Sequence, residues 1–410
     1  MKILIIWNNI PFPYNISTAK PFYLLKHSAD YNYDITGVSF RISVEEPNCK
    51  YERDLQRYCD RFKVVDVSKE RTSSIERRLI YTLRNRFSFQ NIFSRDWYFF
   101  NHIYFPEMRK EIANLLKPNE FDIIYLHRSM IYYMPKNTKT PIILDFEDPL
   151  LYPYYQLYLQ EKKFSKRLLS LYHYYILKLF IVPKYKKFDA GVYVSSVHKE
   201  LLKPYLPKRT FIVPDGIDIE DFMPVCAHID FPSLVFIGDM SYPFNVVSIL
   251  YFYSRMYHMI RKEVSNVRLY IVGRNPSKEV KQLALRDGSI IVTGKVKDIK
   301  PYINRASIAI APMNVDDGGF KLKILEPMAM GKAVVSTSIG ARGLNVTPGE
   351  NIIIADDPEE FARRVIELLN DEQLRKRIGA NARKLVEEEY SWEKVTDMLN
   401  EVFQKVVNER

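Results

Sequence analysis

Short apolar runs of the strand type alternate with longer helical stretches along the whole chain. The runs of the first half span residues 3–7, 33–40, 62–67, 121–127, 141–146 and 190–195, and those of the second half span residues 233–238, 267–273, 289–293, 307–312, 333–336 and 351–355. Strands separated by helices pair in parallel within sheets that are covered on both faces. The alternation therefore predicts an α/β fold with two doubly wound domains.

Charge and glycine content change near the middle of the 410 residues. Residues 1–205 carry 32 Lys and Arg against 21 Asp and Glu, whereas residues 206–410 carry 28 of each, so the first half holds the whole net charge of +11. Only Gly37 and Gly191, of 14 glycines, lie in the first half. A chain of this length is expected to form two domains, and the change in composition indicates that they have separate partners.

We predict an N-terminal domain over residues 1–205 and a C-terminal domain over residues 206–385. The turn-forming residues 213–218 are the predicted hinge between them. Residues 386–410 have a helical pattern and are expected to pack back on the N-terminal domain.

The cysteines and apolar segments bear on cellular location. Cys49, Cys59 and Cys226 are an odd number without a Cys-x-x-Cys pair, which supports neither a disulfide framework nor a cysteine zinc site and fits a reducing compartment. The apolar run at residues 1–7 is shorter than that of a signal peptide, and residues 168–182 fall short of the roughly 20 residues that span a bilayer. We expect a cytoplasmic protein without a transmembrane helix.

Several catalytic signatures are absent from the sequence. It has no Gly-x-Gly-x-x-Gly of dinucleotide enzymes, no His-Glu-x-x-His of zinc hydrolases and no Asp-x-Asp that holds nucleotide sugars through a metal. Glu326 stands where a Walker loop ending at Lys332 needs glycine, and Ser336 stands where a nucleophile elbow needs its first glycine. We predict no metal site.

The segment 317–335 carries the residues best suited to bind a ligand. It follows a predicted buried strand and opens a helix, where two glycines, Gly318 and Gly319, allow close approach and free N–H groups favour an anion such as a diphosphate. Lys321 or Lys323 adds positive charge there.

Glu326 lies three residues after Lys323, so the two are neighbours on a helix, and the carboxylate is placed to accept two hydroxyl hydrogen bonds from a ribose. The alternative interpretation is a plain loop-to-helix junction with a surface ion pair. Pro327 predicts that the helix starts late or kinks beside Glu326.

The sequence resembles a known protein family. The segments 213–218, 236–245, 271–276, 292–298 and 317–335 have an order and spacing similar to those of glycosyltransferases with the GT-B fold, of the family 4 type (group 1 sugar transferases). The donor motif of that family reads Asn-Lys-x-Leu-Glu-Ala-Met-Ala. The resemblance implies two Rossmann-like domains facing a central cleft, with the nucleotide sugar on the C-terminal domain and the acceptor on the N-terminal one. It also implies reaction with retention of configuration and without a bound metal or other cofactor.

Position by position, the resemblance implies roles for the donor side. Glu326 matches the glutamate that binds the nucleotide ribose, and Lys323 matches the basic residue near the diphosphate. The loop from Gly294 through Val296 to Lys297 matches the one that meets the base. Arg274 is a further base or phosphate contact, with a solvated surface arginine as the alternative.

Three departures from the family pattern stand out. Gly318 occupies the place of a glutamate that contacts the donor sugar, which leaves the donor open. Residues 238–241 supply neither the Arg nor the Lys that grips the diphosphate in many members, so Lys321 and Lys323 must contribute more. Residues 13–17 replace the usual N-terminal glycine pair, and there Asn15 and Ser17 are the candidate substitutes.

Acidic residues at the end of a predicted strand are the candidates on the acceptor side. Asp145, Glu147 and Asp148 follow the run 141–146, at the edge where ligands bind open α/β sheets. Asp145 and Glu147 are predicted to orient or deprotonate an acceptor hydroxyl, whereas Asp148 before a proline fits a helix cap. His127, at the end of the preceding strand, is the third candidate, with a histidine satisfied by backbone contacts as its alternative.

Residues 75–105 and 150–188 combine Lys and Arg with many Tyr and Phe. Basic groups beside aromatic side chains suit an anionic membrane surface or a lipid-linked acceptor, and ordinary aromatic helix packing is the alternative. No recognisable RNA or DNA module accompanies them, so no nucleic-acid partner is expected.

These observations together predict a cytoplasmic hexosyltransferase, peripheral at the inner face of the membrane, that acts in polysaccharide biosynthesis. Its partners would be a UDP- or GDP-linked sugar and a glycan or lipid-linked acceptor. Two alternatives stay open: a nucleotide-sugar epimerase or hydrolase on the same fold, and a non-catalytic protein that binds glycans or lipids.

Overall fold

The computed structural model describes residues 1–8, 10–11, 16–41, 49–66, 106–116, 120–131, 133–135, 138–147, 151–161, 163–225, 229–316, 318 and 321–409. Within this part of the chain, the strands form two separate sheets, and every strand pairing is parallel.

The first sheet has the strand order β3-β2-β1-β4-β5-β6-β7. Its strands are β1 (Lys2–Trp7), β2 (Asp34–Arg41), β3 (Arg61–Asp66), β4 (Ile123–His127), β5 (Ile142–Phe146), β6 (Ala190–Tyr193) and β7 (Arg209–Ile212). The order reverses direction between β1 and β4, and ligands of open α/β sheets bind at such a switch point, beyond the carboxyl ends of the strands.

The second sheet has the strand order β10-β9-β8-β11-β12-β13. Its strands are β8 (Ser233–Ile237), β9 (Arg268–Val272), β10 (Ile290–Gly294), β11 (Ile308–Ala311), β12 (Val334–Ser336) and β13 (Ile353–Ile354). Here the order reverses between β8 and β11, so each sheet has one switch point.

Helices connect the strands and cover both faces of each sheet. In the first half they are α1 (Ile16–His27), α2 (Cys49–Tyr58), α3 (Pro106–Leu115), α4 (Tyr152–Gln160), α5 (Phe164–Ile176) and α6 (Ser196–Leu201). In the second half they are α7 (Pro243–Phe252), α8 (His258–Glu263), α9 (Lys278–Arg286), α10 (Lys300–Arg305), α11 (Leu322–Ala329), α12 (Ser338–Ala341), α13 (Pro358–Asn370), α14 (Glu372–Leu385) and α15 (Trp392–Asn408). Helix α5 runs on through a π-helical turn, Leu177–Ile181, and a 3-10 turn, Val182–Lys187.

The last helix, α15, belongs to the core of the first sheet. Its buried apolar side chains recur at helical spacing and pack in the same cluster as Ile3, Ile5 and Trp7 of β1. These side chains are Val395, Leu399, Val402, Phe403 and Val406. The chain therefore returns from the second sheet to cover one face of the first.

The hinge is packed against the start of this helix. Tyr23 of α1 stacks on the Trp392 ring, with the ring centroids 4.7 Å apart, and its hydroxyl donates to Asp218 over 2.6 Å. A Cβ atom at Gly216 would lie 2.5 Å from the Trp392 ring, so this position needs glycine. The segment 213–218 is thus held by α1 and α15 together.

The predicted fold class is confirmed, and each of the twelve predicted strand runs contains a strand. The midpoint boundary at residue 205 is wrong for the first sheet, because β7 (Arg209–Ile212) pairs with β6 and belongs to that sheet. The late start predicted for the helix at Pro327 is also wrong. Helix α11 begins at Leu322, because the burial of Ile324, Leu325 and Met328 holds the turns before the proline in place.

Candidate active site

Two strand ends of the first sheet bring the three predicted catalytic residues together. His127 ends β4 and is the register partner of Asp145 in β5, and Glu147 follows β5. The imidazole Nε2 of His127 lies 3.3 Å from a carboxylate oxygen of Glu147, and its Nδ1 lies 2.6 Å from the Ser129 hydroxyl. Glu147 thus holds the histidine from one side and Ser129 from the other.

Asp145 is enclosed by other charged and polar groups. The ammonium of Lys20 lies 3.6 Å from Asp145 and 3.1 Å from Asp215, and the Tyr125 hydroxyl donates to Asp145. Asp145 is fully buried, and Lys20 and Asp215 are exposed by only 2% and 3%. Its contacts are therefore with the protein, and it connects β5 to α1 and to the hinge.

Electrostatics within this cluster keep Lys20 charged. Burial opposes the ammonium, but the attraction of Asp145 and Asp215 outweighs it and raises the pKa of Lys20 above its usual value. Sequence reasoning missed Lys20, whose only local signal is a cation among the apolar residues of α1.

On the second sheet, the residues singled out follow four adjacent strands at their carboxyl ends. Gly294 ends β10, Arg274 follows β9, residues 238–241 follow β8, and residues 318–326 follow β11. Parallel strands place all of these at one edge of the sheet. The edge includes the switch point between β8 and β11, where a nucleotide is expected.

The start of α11 carries Lys323 and Glu326. The Lys323 ammonium donates to the side-chain oxygen of Asn245 and lies 5.8 Å from the centroid of the Phe236 ring. Asn245 in turn donates to the backbone carbonyl of Asp239 over 2.9 Å. This chain of contacts fixes the lysine between α11 and the loop after β8. Sequence reasoning missed Asn245, which stands within a quoted segment but had no assigned role.

Glu326 is half-buried, and its burial raises the pKa of its carboxyl to about 8, with the charge of Lys323 opposing the rise. A carboxyl whose pKa is raised so far by burial is a common mark of a functional site. Lys321, directly before the helix, is buried at 2% exposure.

Arg274 is held by an ion pair. Its Nε lies 2.8 Å from a carboxylate oxygen of Asp239, which also accepts from Ser241. Although burial opposes it, these hydrogen bonds lower the pKa of Asp239. The loops after β8 and β9 meet closely here, because a Cβ atom at Gly273 would lie 1.7 Å from the carbonyl oxygen of Gly238. Arg274 is thus fixed beside the loop after β8.

The structure describes some of the remaining predicted donor residues and not others. Gly294 and Gly318 have left-handed backbones, with φ values of +68° and +69°, and Lys297 is exposed beside the half-buried Val296. Gly319, Asn15 and the side chain of Ser17 lie outside the described residues. Of the acceptor candidates, Asp148 also lies outside them.

One contact joins the two domains directly at the donor loop. The Tyr152 hydroxyl, at the start of α4, donates to Asp316 over 3.1 Å, and the same carboxylate pairs with Arg342. Asp316 also accepts from the backbone of Gly318 over 2.8 Å. We call Tyr152, Asp316 and Arg342 the domain bridge, which no local sequence pattern predicted.

Comparison with known proteins agrees with this geometry. Residues 231–371 match the family model of glycosyl transferases group 1. An uncharacterized 44.6 kDa protein in the cps region of Klebsiella pneumoniae is 25% identical over 310 residues, covering 70% of this chain and 75% of that protein. The capsular polysaccharide biosynthesis glycosyltransferase CapM of Staphylococcus aureus is 29% identical over 146 residues, covering 33% of this chain and 38% of CapM.

Among solved structures, the Anabaena protein HepE in complex with UDP and glucose superposes with a TM-score of 0.61 at 15% identity, covering 99% of this chain and all of HepE. That likeness extends over both sheets. Residues 231–371 are therefore similar to group 1 glycosyltransferases, and the whole chain has the GT-B fold of glycosyltransferase structures.

Proposed function

We propose that the enzyme transfers a hexose from a nucleoside-diphosphate sugar to a glycan or lipid-linked acceptor, with retention of configuration and without a bound metal or other cofactor. The observation that carries this proposal is the pair of Lys323 and Glu326 at the start of α11, beside the switch point of the second sheet. A cation and a half-buried carboxylate are what a diphosphate and a ribose require.

On the donor side, Glu326 accepts hydrogen bonds from the two ribose hydroxyls. Lys323, Lys321 and the N–H groups at the start of α11 stabilise the negative charge that develops on the departing diphosphate. Arg274 reaches the phosphates or the base, and residues 294–297 meet the base. Asn15 and Ser17 contact the donor from the N-terminal domain.

Nucleotide binding is expected to release a proton and to strengthen as pH rises. Because the pKa of Glu326 is about 8, most of this carboxyl is protonated at pH 7, whereas acceptance of two hydroxyl hydrogen bonds favours the ionised form. Affinity should rise roughly tenfold between pH 7 and pH 9, as the ionised fraction does. Titration calorimetry of UDP, GDP, ADP and CMP, in buffers of different ionisation enthalpy, measures both the affinity and the proton.

Glu326→Gln is the matched variant, since it keeps the shape of the side chain but cannot ionise. It should bind the preferred nucleotide more weakly and without proton release. Its affinity for the nucleotide should change little as pH rises above 7.5. Proton release unchanged in the variant would show that another group titrates. Failure of all four nucleotides to bind the wild type would contradict the donor assignment.

On the acceptor side, Glu147 is the group that takes the proton of the acceptor hydroxyl, and His127, held at its Nδ1 by Ser129, orients Glu147 through its Nε2. Glu147→Gln should lower the rate of transfer by about a hundredfold and leave nucleotide affinity unchanged, because a positioned base contributes about 10²–10⁴-fold. Glu200→Gln, an exposed carboxylate in the same domain, is the control. If Glu147→Gln lost as much nucleotide affinity as transfer rate, the pair of His127 and Glu147 would belong to the donor side instead.

The names of two relatives support the class of acceptor. The Klebsiella protein is in a cps region and CapM is a capsular polysaccharide enzyme, so we place this enzyme in the assembly of a surface polysaccharide, working on the cytoplasmic side of the membrane. Transfer assays with purified cell-envelope glycolipids test this. Formation of free sugar or of an epimerised nucleotide sugar without acceptor would favour a hydrolase or an epimerase.

A further inference from the structure

Helix α5 turns its large apolar side chains outward. Exposed apolar residues recur along it and its π-helical continuation at spacings of four, four, three and four residues, which is the period of a helix face. We call this set the outer stripe: Phe164 (79% exposed), Leu168 (55%), Tyr172 (59%), Tyr175 (50%) and Leu179 (63%). The buried positions of the same helix include the polar Ser170 and His173.

The neighbouring helix extends the outer stripe. Helix α4 packs along α5, and its Tyr155 and Leu159, one turn apart, are exposed by 40% and 50%. Tyr155 lies beside Tyr174 of α5, with the ring centroids 5.3 Å apart. Contiguous exposed apolar surface of this kind marks an interaction site.

The charges around the stripe decide which partner fits. Residues 151–187 carry eight Lys and Arg and a single acid, Glu161. A second copy of the chain would bring two strongly basic surfaces together, which opposes self-association. An anionic bilayer offers both opposite charge and an apolar layer, and Tyr, Phe and Leu beside basic groups suit the interface between headgroups and acyl chains.

We propose that the outer stripe of α5, with its basic surroundings, docks the enzyme on an anionic lipid surface. Among the described residues, none of the helices combines the length and the apolar character of a transmembrane segment. The stripe stands close to the cleft, because α4 begins at Tyr152 in the domain bridge and its nine residues span only about 14 Å. Docking would thus present a lipid-linked acceptor to the cleft; this last step rests on the proposed function, whereas the docking does not.

Vesicle flotation tests the docking without any nucleotide sugar, so failure of the transferase assignment would not affect it. The wild type should float with vesicles of phosphatidylcholine and phosphatidylglycerol, and less with phosphatidylcholine alone or at high salt. The double variant Leu168→Gln/Leu179→Gln should bind the anionic vesicles at least roughly tenfold more weakly, since two apolar side chains no longer enter the interface.

Leu285→Gln is the matched control, because Leu285 of α9 is an apolar side chain 85% exposed on the other domain. It should float like the wild type, and both variants should melt at the wild-type temperature. Equal flotation of all three proteins would overturn the proposal. Sedimentation that shows a dimer in the wild type, lost in Leu168→Gln/Leu179→Gln, with no binding to vesicles would assign the stripe to a second copy instead.

Discussion

Replacing Lys20 by methionine is expected to lower the free energy of unfolding of the N-terminal domain by about 3–5 kcal/mol. The substitution removes the cation that lies between Asp145 and Asp215, and it leaves two buried carboxylates facing each other. Loss of one partner of a buried pair is costly because the remaining charge has neither water nor a counter-ion. Urea denaturation followed by tryptophan fluorescence measures this domain, because Trp7 and Trp392 both lie in its core.

The direction of the pKa shift of Lys20 determines how its contribution to stability depends on pH. The pKa of Lys20 is raised in the folded state, so its stabilising effect is fully present below the unfolded pKa and is lost only as pH rises through the folded one. The wild type therefore keeps the whole effect at neutral pH.

Two further variants make the result specific. Lys203→Ala removes a cation from an exposed pair with Glu200 and should change stability by no more than about 0.5 kcal/mol. Lys20→Met/Asp145→Asn also removes one of the two buried carboxylates, so it should recover part of the stability that Lys20→Met loses. A Lys20→Met protein as stable as the Lys203→Ala control would show that the cluster does not hold the hinge.

The second large effect is expected on nucleotide binding. At pH 9, where the carboxyl is ionised, Glu326→Ala should weaken the affinity for the preferred nucleotide by about a hundredfold, since two hydrogen bonds from ribose to a carboxylate contribute about 3 kcal/mol together. Lys323→Ala should lower turnover by about 10²–10³-fold, because positive charge at the diphosphate acts mainly in the transition state. Calorimetry and steady-state turnover separate the two effects.

Stability adds a signature that simple misfolding could not produce. The raised pKa of Glu326 means that its ionisation opposes folding, so this carboxyl lowers stability progressively as pH rises from about 4.5 to about 8, and the cost is constant above that. Glu326→Gln should therefore be at least as stable as the wild type at pH 9 while binding nucleotide more weakly. Glu263→Gln, an exposed carboxylate in the same domain, should change neither property. Wild-type affinity in both Glu326 variants would remove this residue from the donor site.

The fold could be predicted from the sequence because strands buried on both faces leave continuous apolar runs, such as residues 3–7. Strand β7 escaped prediction because three of its four residues are only half-buried and the fourth is exposed, so it lacks such a run. Without it, the predicted boundary stayed at residue 205, where the charge and glycine content of the chain change.

In the candidate site, too, the sequence predicted what a local pattern encodes and missed contacts between distant residues. Glu326 and Lys323 stand within one short segment, so a motif could identify them. The cluster of Lys20, Asp145 and Asp215 joins residues more than a hundred positions apart, as does the domain bridge between Tyr152 and Asp316. No local pattern encodes such contacts; they exist only once the sheets are placed. The basic and aromatic composition of the α5 region could be read from the sequence. Which of its side chains face outward became clear only from the packing of the helix.

The return of α15 to the first sheet has a consequence for synthesis of the chain. The N-terminal domain is translated before the second sheet, yet the face formed by Ile3, Ile5 and Trp7 is covered by side chains that are translated only after that sheet. At about 5–20 residues per second, translation of the second domain leaves that face open for on the order of ten to forty seconds. The nascent chain therefore presents a chaperone with a defined apolar surface during that interval.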